Sequence, residues 1–251
     1  MPGEYSRKQL IGGGIMAWSH RRRFATALQL AQAHGARTVL DFGCGDGTLV
    51  GMLAATFPRA VGAEIDPRLV QHCAERFRHL PNASFVLTEE LAASAPHSFG
   101  LIMCTEVLEH CTSERLDAAI DTMRHLLARD GTLVVSVPVE TGPALAVKQV
   151  ARAVKALIGG EATYRDRERY TLSEFLVMLL AGEKTAIPRP VYRQDFAPDR
   201  PNPYHGHKGF NWRALRSRLA LSFVIHRTTF SPTSMLGPGA ASQAWLICGP
   251  R

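Results

Sequence analysis

The segment Val39–Gly47, which reads VLDFGCGDG, constrains the fold of this chain more than any other stretch. An apolar run that suits a buried strand ends in Gly43, Gly45 and Gly47, and helical spacing begins at Thr48. Glycines permit a tight turn and let a ligand approach the backbone closely. The first turn of the following helix has N–H groups without partners inside the helix. The sequence therefore predicts a strand–turn–helix unit with a binding site at the turn.

Strand and helix patterns alternate on both sides of this unit. Strands are predicted at 37–42, 60–65, 84–87, 101–105 and 132–137, and helices at 48–57, 67–79 and 113–128. Such alternation favours parallel pairing in a doubly wound sheet. Two late strands, 221–230 and 242–248, are predicted to form an antiparallel hairpin at the sheet edge. We therefore expect an α/β Rossmann-like fold, with a doubly wound seven-stranded sheet that is mostly parallel and has an antiparallel last strand.

The length of 251 residues suits a single domain over 1–251 with one insertion. Residues 1–34 are predicted to be an N-terminal helical segment. The alternation stops at about residue 140, and residues 140–205 are predicted to be a lid or acceptor insertion with helices at 144–158 and 172–181. A lid packed on its own domain is favoured by this pattern. The alternative is an amphipathic surface that contacts a membrane or a lipid-linked substrate.

Charge and cysteine content narrow the class of protein. The five cysteines are scattered and never spaced C-x-x-C, which argues against a disulfide scaffold or a Cys-type zinc finger and favours the cytoplasm. No stretch predicts a membrane span or a signal peptide. The 29 Lys and Arg against 22 Asp and Glu give a charge of +7, and His20–Arg23 is a dense basic cluster. A basic surface suits RNA, anionic lipid or phosphorylated partners. We expect a monomer or a homodimer.

Glu64 is predicted to end the second strand, 21 residues after Gly43, where an acid can accept hydrogen bonds from ribose hydroxyls. The spacing G-x-G-x-G differs from the dinucleotide pattern G-x-G-x-x-G. With these features, residues 35–140 resemble the class I S-adenosylmethionine-dependent methyltransferases. The resemblance implies S-adenosylmethionine as cofactor and an acid near the adenine amine, for which Glu89 is preferred over Glu90. The cofactor-binding residues that it implies are Asp41, Gly43, Cys44, Gly45, Gly47, Glu64, Ile65, Glu89 and Thr105.

The fourth predicted strand is followed by EVLEH, which places Glu106, Glu109 and His110 at positions i, i+3 and i+4. One helical turn would put these three side chains on a single face. Two carboxylates and an imidazole can share a divalent cation such as Mg²⁺, Mn²⁺ or Zn²⁺. Alternatively, His110 alone acts as a general base, or the acids simply stabilise the start of a helix.

Two more histidines, His205 and His207, occur about a hundred residues later in YHGHKGFNW. E-x-x-E-H with this late motif resembles the metal-binding constellation of small-RNA 3′-end 2′-O-methyltransferases and, more loosely, the ubiquinone-biosynthesis O-methyltransferases. The resemblance implies Glu106, Glu109, His110 and His207 as metal ligands, with His205 in reserve. Gly206 occupies the position of the usual acid before the late histidine, and Gly209 interrupts the run.

A divalent cation lowers the pKa of a bound hydroxyl, so this constellation favours an oxygen nucleophile. We therefore expect a methyltransferase that acts on a hydroxyl of a small molecule, such as a natural-product, prenylated or glycosylated acceptor, with Glu106, Glu109 and His110 as catalytic residues. The first alternative is an RNA 3′-terminal 2′-O-methyltransferase, although the sequence shows no appended RNA-binding module. The second alternative is a non-catalytic, cofactor-binding partner subunit.

Overall fold

The computed structural model describes residues 15–157, 169–196, 201–232 and 234–251. Within these residues, seven strands form one sheet in the order β3-β2-β1-β4-β5-β9-β8. The strands of this sheet are β1 (Thr38–Phe42), β2 (Arg59–Glu64), β3 (Ala83–Leu87), β4 (Phe99–Thr105), β5 (Leu127–Pro138), β8 (Phe223–Ser231) and β9 (Gln243–Pro250). Strands β1 to β5 pair in parallel, and β9 is antiparallel to both β5 and β8. The predicted fold class is confirmed.

Helices lie before and between these strands. The helices are α1 (Ile15–Gln32), α2 (Thr48–Leu53), α3 (Pro67–Arg76), α4 (Ser113–Leu126), α5 (Pro143–Leu157), α6 (Leu172–Leu179) and α7 (Trp212–Leu219). Shorter 3₁₀ segments are Thr88–Ala93, Leu108–His110 and Ser234–Gly239. Helix α3 begins as predicted, with Pro67 at its first position and the Asp66 side chain accepting a hydrogen bond from the Arg68 N–H at 2.9 Å. Residues 1–14 of the predicted N-terminal segment lie outside the described residues.

Both faces of the sheet are covered, because alternate residues of each central strand point to opposite sides. On one face, Leu40 and Ile102 pack in a buried cluster with residues of α4 and α7. On the other face, Val39 and Met103 pack in a second cluster with residues of α1 and α2. Central strands that are buried on both faces have unbroken apolar sequences, which is why β1 and β4 were predictable.

The insertion contains the two predicted helices, α5 and α6, and an additional strand pair. Strand β6 (Val191–Arg193) pairs antiparallel with β7 (Pro203–His205). Each strand has only three residues, which is too short to show an alternating pattern among the surrounding prolines and arginines. Of the helices that the structure describes, none is long and apolar enough to cross a bilayer.

Candidate functional site

The carboxyl ends of β1, β2, β4 and β5 lie along one edge of the sheet. The order of strands reverses between β1 and β4, since β2 and β3 lie on one side of β1 and β4 and β5 on the other. Ligands of open α/β sheets bind in the crevice at such a reversal. The loop after β1 and the loop after β4 meet there, and together they carry most of the predicted site residues.

Gly43, Gly45 and Gly47 in the loop after β1 have φ angles of +79°, +56° and +72°. A Cβ on Gly43 would lie 2.4 Å from Cγ2 of Val107 in the loop after β4, and one on Gly47 would lie 2.8 Å from the Phe85 ring. A Cβ on Gly45 would meet no atom within 4 Å. The outer glycines are therefore required for packing, whereas the central glycine leaves room for a ligand beside its backbone.

Glu64, the last residue of β2, is fixed against this loop. Its Oε2 accepts a hydrogen bond from the Gly45 N–H at 2.9 Å, and its Oε1 accepts one from the Ile65 N–H at 2.8 Å. A carboxylate has about four lone-pair sites, so it can accept further hydrogen bonds from a ligand. Ile65 is 42% exposed beside it and offers an apolar surface.

Asp41 is buried at the end of β1, with 2% of its surface exposed. Within the described residues, its Oδ1 has no hydrogen-bond partner. Burial, followed by the nearby charges of Glu64 and Asp46, raises the pKa of Asp41 to about 7. A buried carboxyl with an unpaired oxygen is stabilised by a cationic or hydrogen-bond-donating ligand group.

The remaining predicted cofactor residues surround this loop. Cys44 is buried, and a contact with the Cys73 thiol together with burial raises its pKa well above the usual value. Glu90 accepts a hydrogen bond from the Leu87 N–H at 3.1 Å and so stabilises the start of the 3₁₀ segment after β3. Its neighbour Glu89 is exposed in the same turn. Thr105 ends β4 and is half-buried.

The loop after β4 differs from the single helical turn that the sequence predicts. Glu106 has a φ of +59°, and the helical segment is the 3₁₀ turn Leu108–His110, so Glu106, Glu109 and His110 do not share one helical face. The Glu106 N–H donates to the Ser136 carbonyl at 2.9 Å and thereby continues the β4–β5 pairing by one residue. That interaction holds Glu106 at the end of the strand and delays the start of the turn.

The Glu106 side chain is bound by two neighbours. Its Oε1 accepts a hydrogen bond from the Ser136 hydroxyl at 3.2 Å, and its Oε2 lies 3.7 Å from Nη1 of Arg23 on α1. These contacts direct the carboxylate towards α1 and β5. The N-terminal helix therefore contributes a cation to this edge of the sheet.

Glu109, His110 and His207 form a cluster in which one potential ligand atom from each lies within 4.8 Å of the others. Glu109 is fully buried, and neither carboxylate oxygen accepts a hydrogen bond from a described residue. Burial, with a contribution from Glu106, raises the pKa of Glu109 well above its usual value. The Glu109 Oε1 lies 3.9 Å from Nε2 of His110.

Each histidine of the late motif has a different role in this arrangement. The carbonyl oxygen of His205 lies 2.7 Å from Nδ1 of His110, so that nitrogen carries the proton and Nε2 is left to face Glu109. The ring of His205 instead contacts the Pro190 carbonyl through its own Nδ1 at 2.9 Å. The His207 ring lies 5.1 Å from that of His110, and burial lowers its pKa to about 4, so it is neutral at pH 7.

The structure thus brings together three of the four predicted metal ligands, Glu109, His110 and His207. Glu106 and His205 lie outside this group. A carboxyl group with unpaired, buried oxygens next to two imidazoles is a donor set that suits a divalent transition metal. This donor set fits a cation.

Two residues near the cluster have no counterpart in the sequence-based prediction. Arg189 donates from Nη2 to the carbonyl oxygens of both Glu109 and Gly206, and so joins the two ligand-bearing loops. Glu140 is buried two residues after β5, with its Oε1 3.9 Å from Nδ1 of His207. One feature of the sequence could have identified Glu140. It is an acid just beyond a predicted parallel strand, and Glu106 has the same position after β4.

Two basic residues of α5, Lys148 and Arg152, argue against the membrane-facing interpretation of the insertion. Lys148 Nζ lies 2.9 Å and Arg152 Nη2 3.2 Å from the Glu140 Oε1, so both side chains point towards the domain and not towards a membrane surface. The other interpretation, helices packed on their own domain, agrees with these contacts. Apolar residues of α5 and α6, together with the residue that follows α6, remain exposed, namely Val147, Val150, Leu172, Leu176, Val177 and Leu180.

Comparisons with known proteins find a family match for the central part of the chain. Residues 39–131 match the family model described as a methyltransferase domain. The chain is 31% identical over 154 residues to the ubiquinone biosynthesis O-methyltransferase of Xanthomonas campestris, a match that spans 59% of this chain and 62% of that relative. The match therefore covers less than two thirds of the relative's own length.

Two solved structures have the same fold. The methyltransferase domain of bacterial CtHen1 has a TM-score of 0.57 at 14% identity, with 91% of this chain and 98% of that chain covered. The N-methyltransferase NodS of Bradyrhizobium japonicum, in complex with S-adenosyl-L-homocysteine, has a TM-score of 0.56 at 14% identity over 99% and 97% of the two chains. At such identities the likeness establishes the fold alone.

Proposed function

We propose that this chain, whose residues 39–131 are a methyltransferase domain, transfers the methyl group of S-adenosylmethionine to a hydroxyl of a small-molecule acceptor with the help of a divalent cation. One observation carries the proposal. The glycine loop after β1 and the Glu109–His110–His207 cluster lie at the same edge of the sheet, and Gly43 contacts Val107 of the loop that bears Glu109. A cofactor at the first loop would therefore present its methyl group near the second.

The chain's own groups match the polar parts of S-adenosylmethionine. Glu64 is a buried acceptor for the ribose hydroxyls, and Ile65 offers an apolar surface to the adenine ring. The unpaired Oδ1 of Asp41 provides a negative partner for the positively charged methionine end. The backbone beside Gly45 is accessible to the same ligand. The bound S-adenosyl-L-homocysteine of NodS supports this assignment at the level of the fold.

The cluster would hold the cation through Glu109, His110 and His207. A bound divalent cation would lower the pKa of the acceptor hydroxyl and fix its oxygen for in-line attack. The protein itself supplies the orientation. The His205 carbonyl sets the tautomer of His110, the neutral His207 offers a lone pair, and the full burial of Glu109 keeps bulk water away from its carboxyl group.

Glu106 has a separate part in this proposal because it lies outside the cluster. Its carboxylate is held by Ser136 and Arg23 at the end of β4, where the acceptor would enter. We assign it to hydrogen bonding with the acceptor. His110 is the general base if the cation is not required, since its Nε2 carries no proton when Nδ1 donates to the His205 carbonyl.

The insertion is proposed to cover the acceptor. The exposed apolar side chains on α5 and α6 favour an acceptor with an apolar part, such as a prenylated phenol. The name of the Xanthomonas relative, an O-methyltransferase of ubiquinone biosynthesis, agrees with a hydroxyl as the methylated group.

The test is a methyl-transfer assay that measures S-adenosyl-L-homocysteine release. The acceptors are a prenylated catechol, a catechol without the prenyl chain, a glycosylated phenol and a primary amine, each with Mg²⁺, Mn²⁺ or Zn²⁺. Transfer to a hydroxyl acceptor is expected, with the prenylated catechol preferred to the unsubstituted one. Transfer to the amine alone would contradict the proposal. Cofactor binding without transfer to any acceptor would favour the partner-subunit alternative.

An RNA 3′-terminal 2′-hydroxyl is the second candidate acceptor, and features of α1 favour it. Arg21 and Arg22 are exposed, and Arg22 lies over the exposed Trp18 ring at 5.8 Å, a basic and aromatic pair that suits single-stranded RNA. Arg23 on the same helix reaches Glu106. The same assay tests this candidate with two short RNAs as acceptors. One has a free 3′-terminal diol, and the other is the same RNA with a 3′-terminal 2′-O-methyl group. Methylation of the first RNA alone would establish this candidate.

A further inference from the structure

We infer that Glu140 is a positioning residue for the cation: it fixes the His207 ring and makes cation binding depend on the docking of α5. The inference rests on the proposed function, because it takes Glu109, His110 and His207 as the cation site. It concerns a residue that touches a ligand and not the cation itself.

The position of Glu140 follows from the sheet. Strand β5 ends at Pro138, and the Val139 N–H donates to the Ser242 carbonyl at 2.9 Å, which extends the pairing with the segment before β9. Glu140 therefore lies at the same edge of the sheet as Glu106, which follows β4. Its side chain is 1% exposed, and its Oε1 lies 3.9 Å from Nδ1 of His207.

Nδ1 is the ring nitrogen of His207 that faces Glu140. We therefore assign the other nitrogen, Nε2, to the cation. A carboxylate that accepts the second N–H of a metal-binding histidine fixes the ring orientation and makes the ligand nitrogen more basic. The distance of 3.9 Å is longer than a hydrogen bond, so we expect the contact to shorten when a cation is bound.

Glu140 itself is held by α5. Lys148 Nζ and Arg152 Nη2 lie 2.9 Å and 3.2 Å from its Oε1, and Lys148 also donates to the Ser242 carbonyl at 3.2 Å. A buried carboxylate is costly without cationic partners, so these two contacts stabilise Glu140 where it lies. Docking of α5 and orientation of His207 are thereby linked through a single side chain.

A second ion pair in the insertion supplies a matched control. Lys208, the residue after His207, pairs with Glu174 of α6 at 2.8 Å. This pair also ties the late-motif segment to an insertion helix, but through the residue next to His207. A role that consists only of tethering the segment would be shared by Glu174 and Glu140, whereas Glu140 also faces the imidazole Nδ1.

The experiment measures Co²⁺ binding by the full chain, freed of metal, by calorimetry and by the visible absorption of the bound ion. Glu140→Gln is expected to weaken Co²⁺ binding by about tenfold to hundredfold and to change the absorption band, with unchanged affinity for S-adenosyl-L-homocysteine. Glu140→Asp should recover part of the affinity. Lys148→Met, which leaves Arg152 beside the carboxylate, should cause a smaller loss. Glu174→Gln should bind Co²⁺ as the wild type does.

Equal Co²⁺ affinity in a folded Glu140→Gln variant would overturn the inference while leaving the proposed cation site intact. An equal loss in Glu174→Gln would also overturn it, since tethering would then explain both effects. If Glu140→Gln does not fold, the other two variants decide. Wild-type Co²⁺ affinity in both Lys148→Met and Glu140→Asp would then overturn the inference. Failure of the wild type to bind Co²⁺ would overturn the cation site and this inference together. Binding of S-adenosyl-L-homocysteine in the same samples tests the methyltransferase proposal separately.

Discussion

At the scale of single residues, burial changes the proton affinity of Asp41. The ordinary pKa of an aspartate is near 3.8, and in this fold it is raised to about 7 by burial and by the neighbouring charges of Glu64 and Asp46. The carboxyl therefore takes up a proton on folding at mildly acidic pH. A positively charged ligand beside it would favour the ionised form again.

Asp41 should make the protein less stable as the pH rises from about 4 to 7. In that window the folded state holds a proton that the unfolded state has released, so the free energy of unfolding falls with increasing pH. Below about pH 4 the contribution of this proton is fully present. Urea unfolding of the wild type and of Asp41→Asn between pH 4.5 and 8 checks this. The stability difference between the two proteins should shift in favour of Asp41→Asn as the pH rises, and parallel pH profiles would contradict the prediction.

Glu64→Gln should weaken the binding of S-adenosyl-L-homocysteine. The variant removes the charged acceptor that we propose for the ribose hydroxyls, an interaction worth about 1.5–3 kcal/mol, which corresponds to roughly tenfold to hundredfold in affinity. Glu75→Gln on the exposed side of α3 is the control and should bind normally. Calorimetry measures both affinities, and thermal unfolding shows whether the hydrogen bonds to the Gly45 and Ile65 N–H groups survive in the variant. Unchanged affinity would remove Glu64 from the cofactor site.

At the scale of elements, the loops after β1 and β4 are packed directly against each other. Gly43 of the first loop contacts Val107 of the second so closely that a Cβ would lie 2.4 Å from a Val107 methyl carbon. The second loop carries Glu106 and Glu109 on either side of Val107. The loop after β1 therefore fixes the position of these carboxylates through a van der Waals contact between backbone and side chain.

The glycines of this loop should differ in what they contribute. Gly43→Ala should destabilise the fold by about 1–3 kcal/mol, because the new methyl group overlaps Val107. Gly45→Ala should cost less, since it adds only the strain of a φ of +56° and meets no neighbour, but it should reduce S-adenosyl-L-homocysteine affinity. Denaturant unfolding and calorimetry on both variants separate the two effects. Similar unfolding free energies for the two variants would show that the Val107 contact is unimportant.

At the scale of the whole molecule, the proposed cation site joins parts of the chain that are distant in sequence. Glu109 and His110 belong to the loop after β4, and His207 follows the insertion and precedes α7. Arg189 bridges the two segments through the Glu109 and Gly206 carbonyls. A ligand held on both sides of this junction would stabilise the folded state relative to the unfolded one.

Divalent cations should therefore raise the melting temperature, and chelation should reverse the shift. At about 100 times the dissociation constant, binding to the folded state alone adds about 2.7 kcal/mol. Thermal unfolding with Mn²⁺ or Zn²⁺, with and without a chelator, measures this, and methyl transfer should be lost on chelation while S-adenosyl-L-homocysteine still binds. His207→Ala should abolish the cation-dependent shift. The same shift in His207→Ala would place the cation elsewhere.

The strand–turn–helix order and the placement of Glu64 at the end of β2 were determined by the sequence alone, because apolar runs, glycines and caps act over a few neighbouring residues. The same local signals placed α3 after Asp66 and the β8–β9 hairpin at the sheet edge. Only the tertiary structure decided which polar residues meet. Pairing with Ser136 separated Glu106 from the turn that bears Glu109, and the sheet brought Glu140 to His207. It also assigned His205 to a backbone contact and His207 to the cluster. Spacing along a chain cannot specify such contacts, since they depend on how strands far apart in sequence end at one common edge.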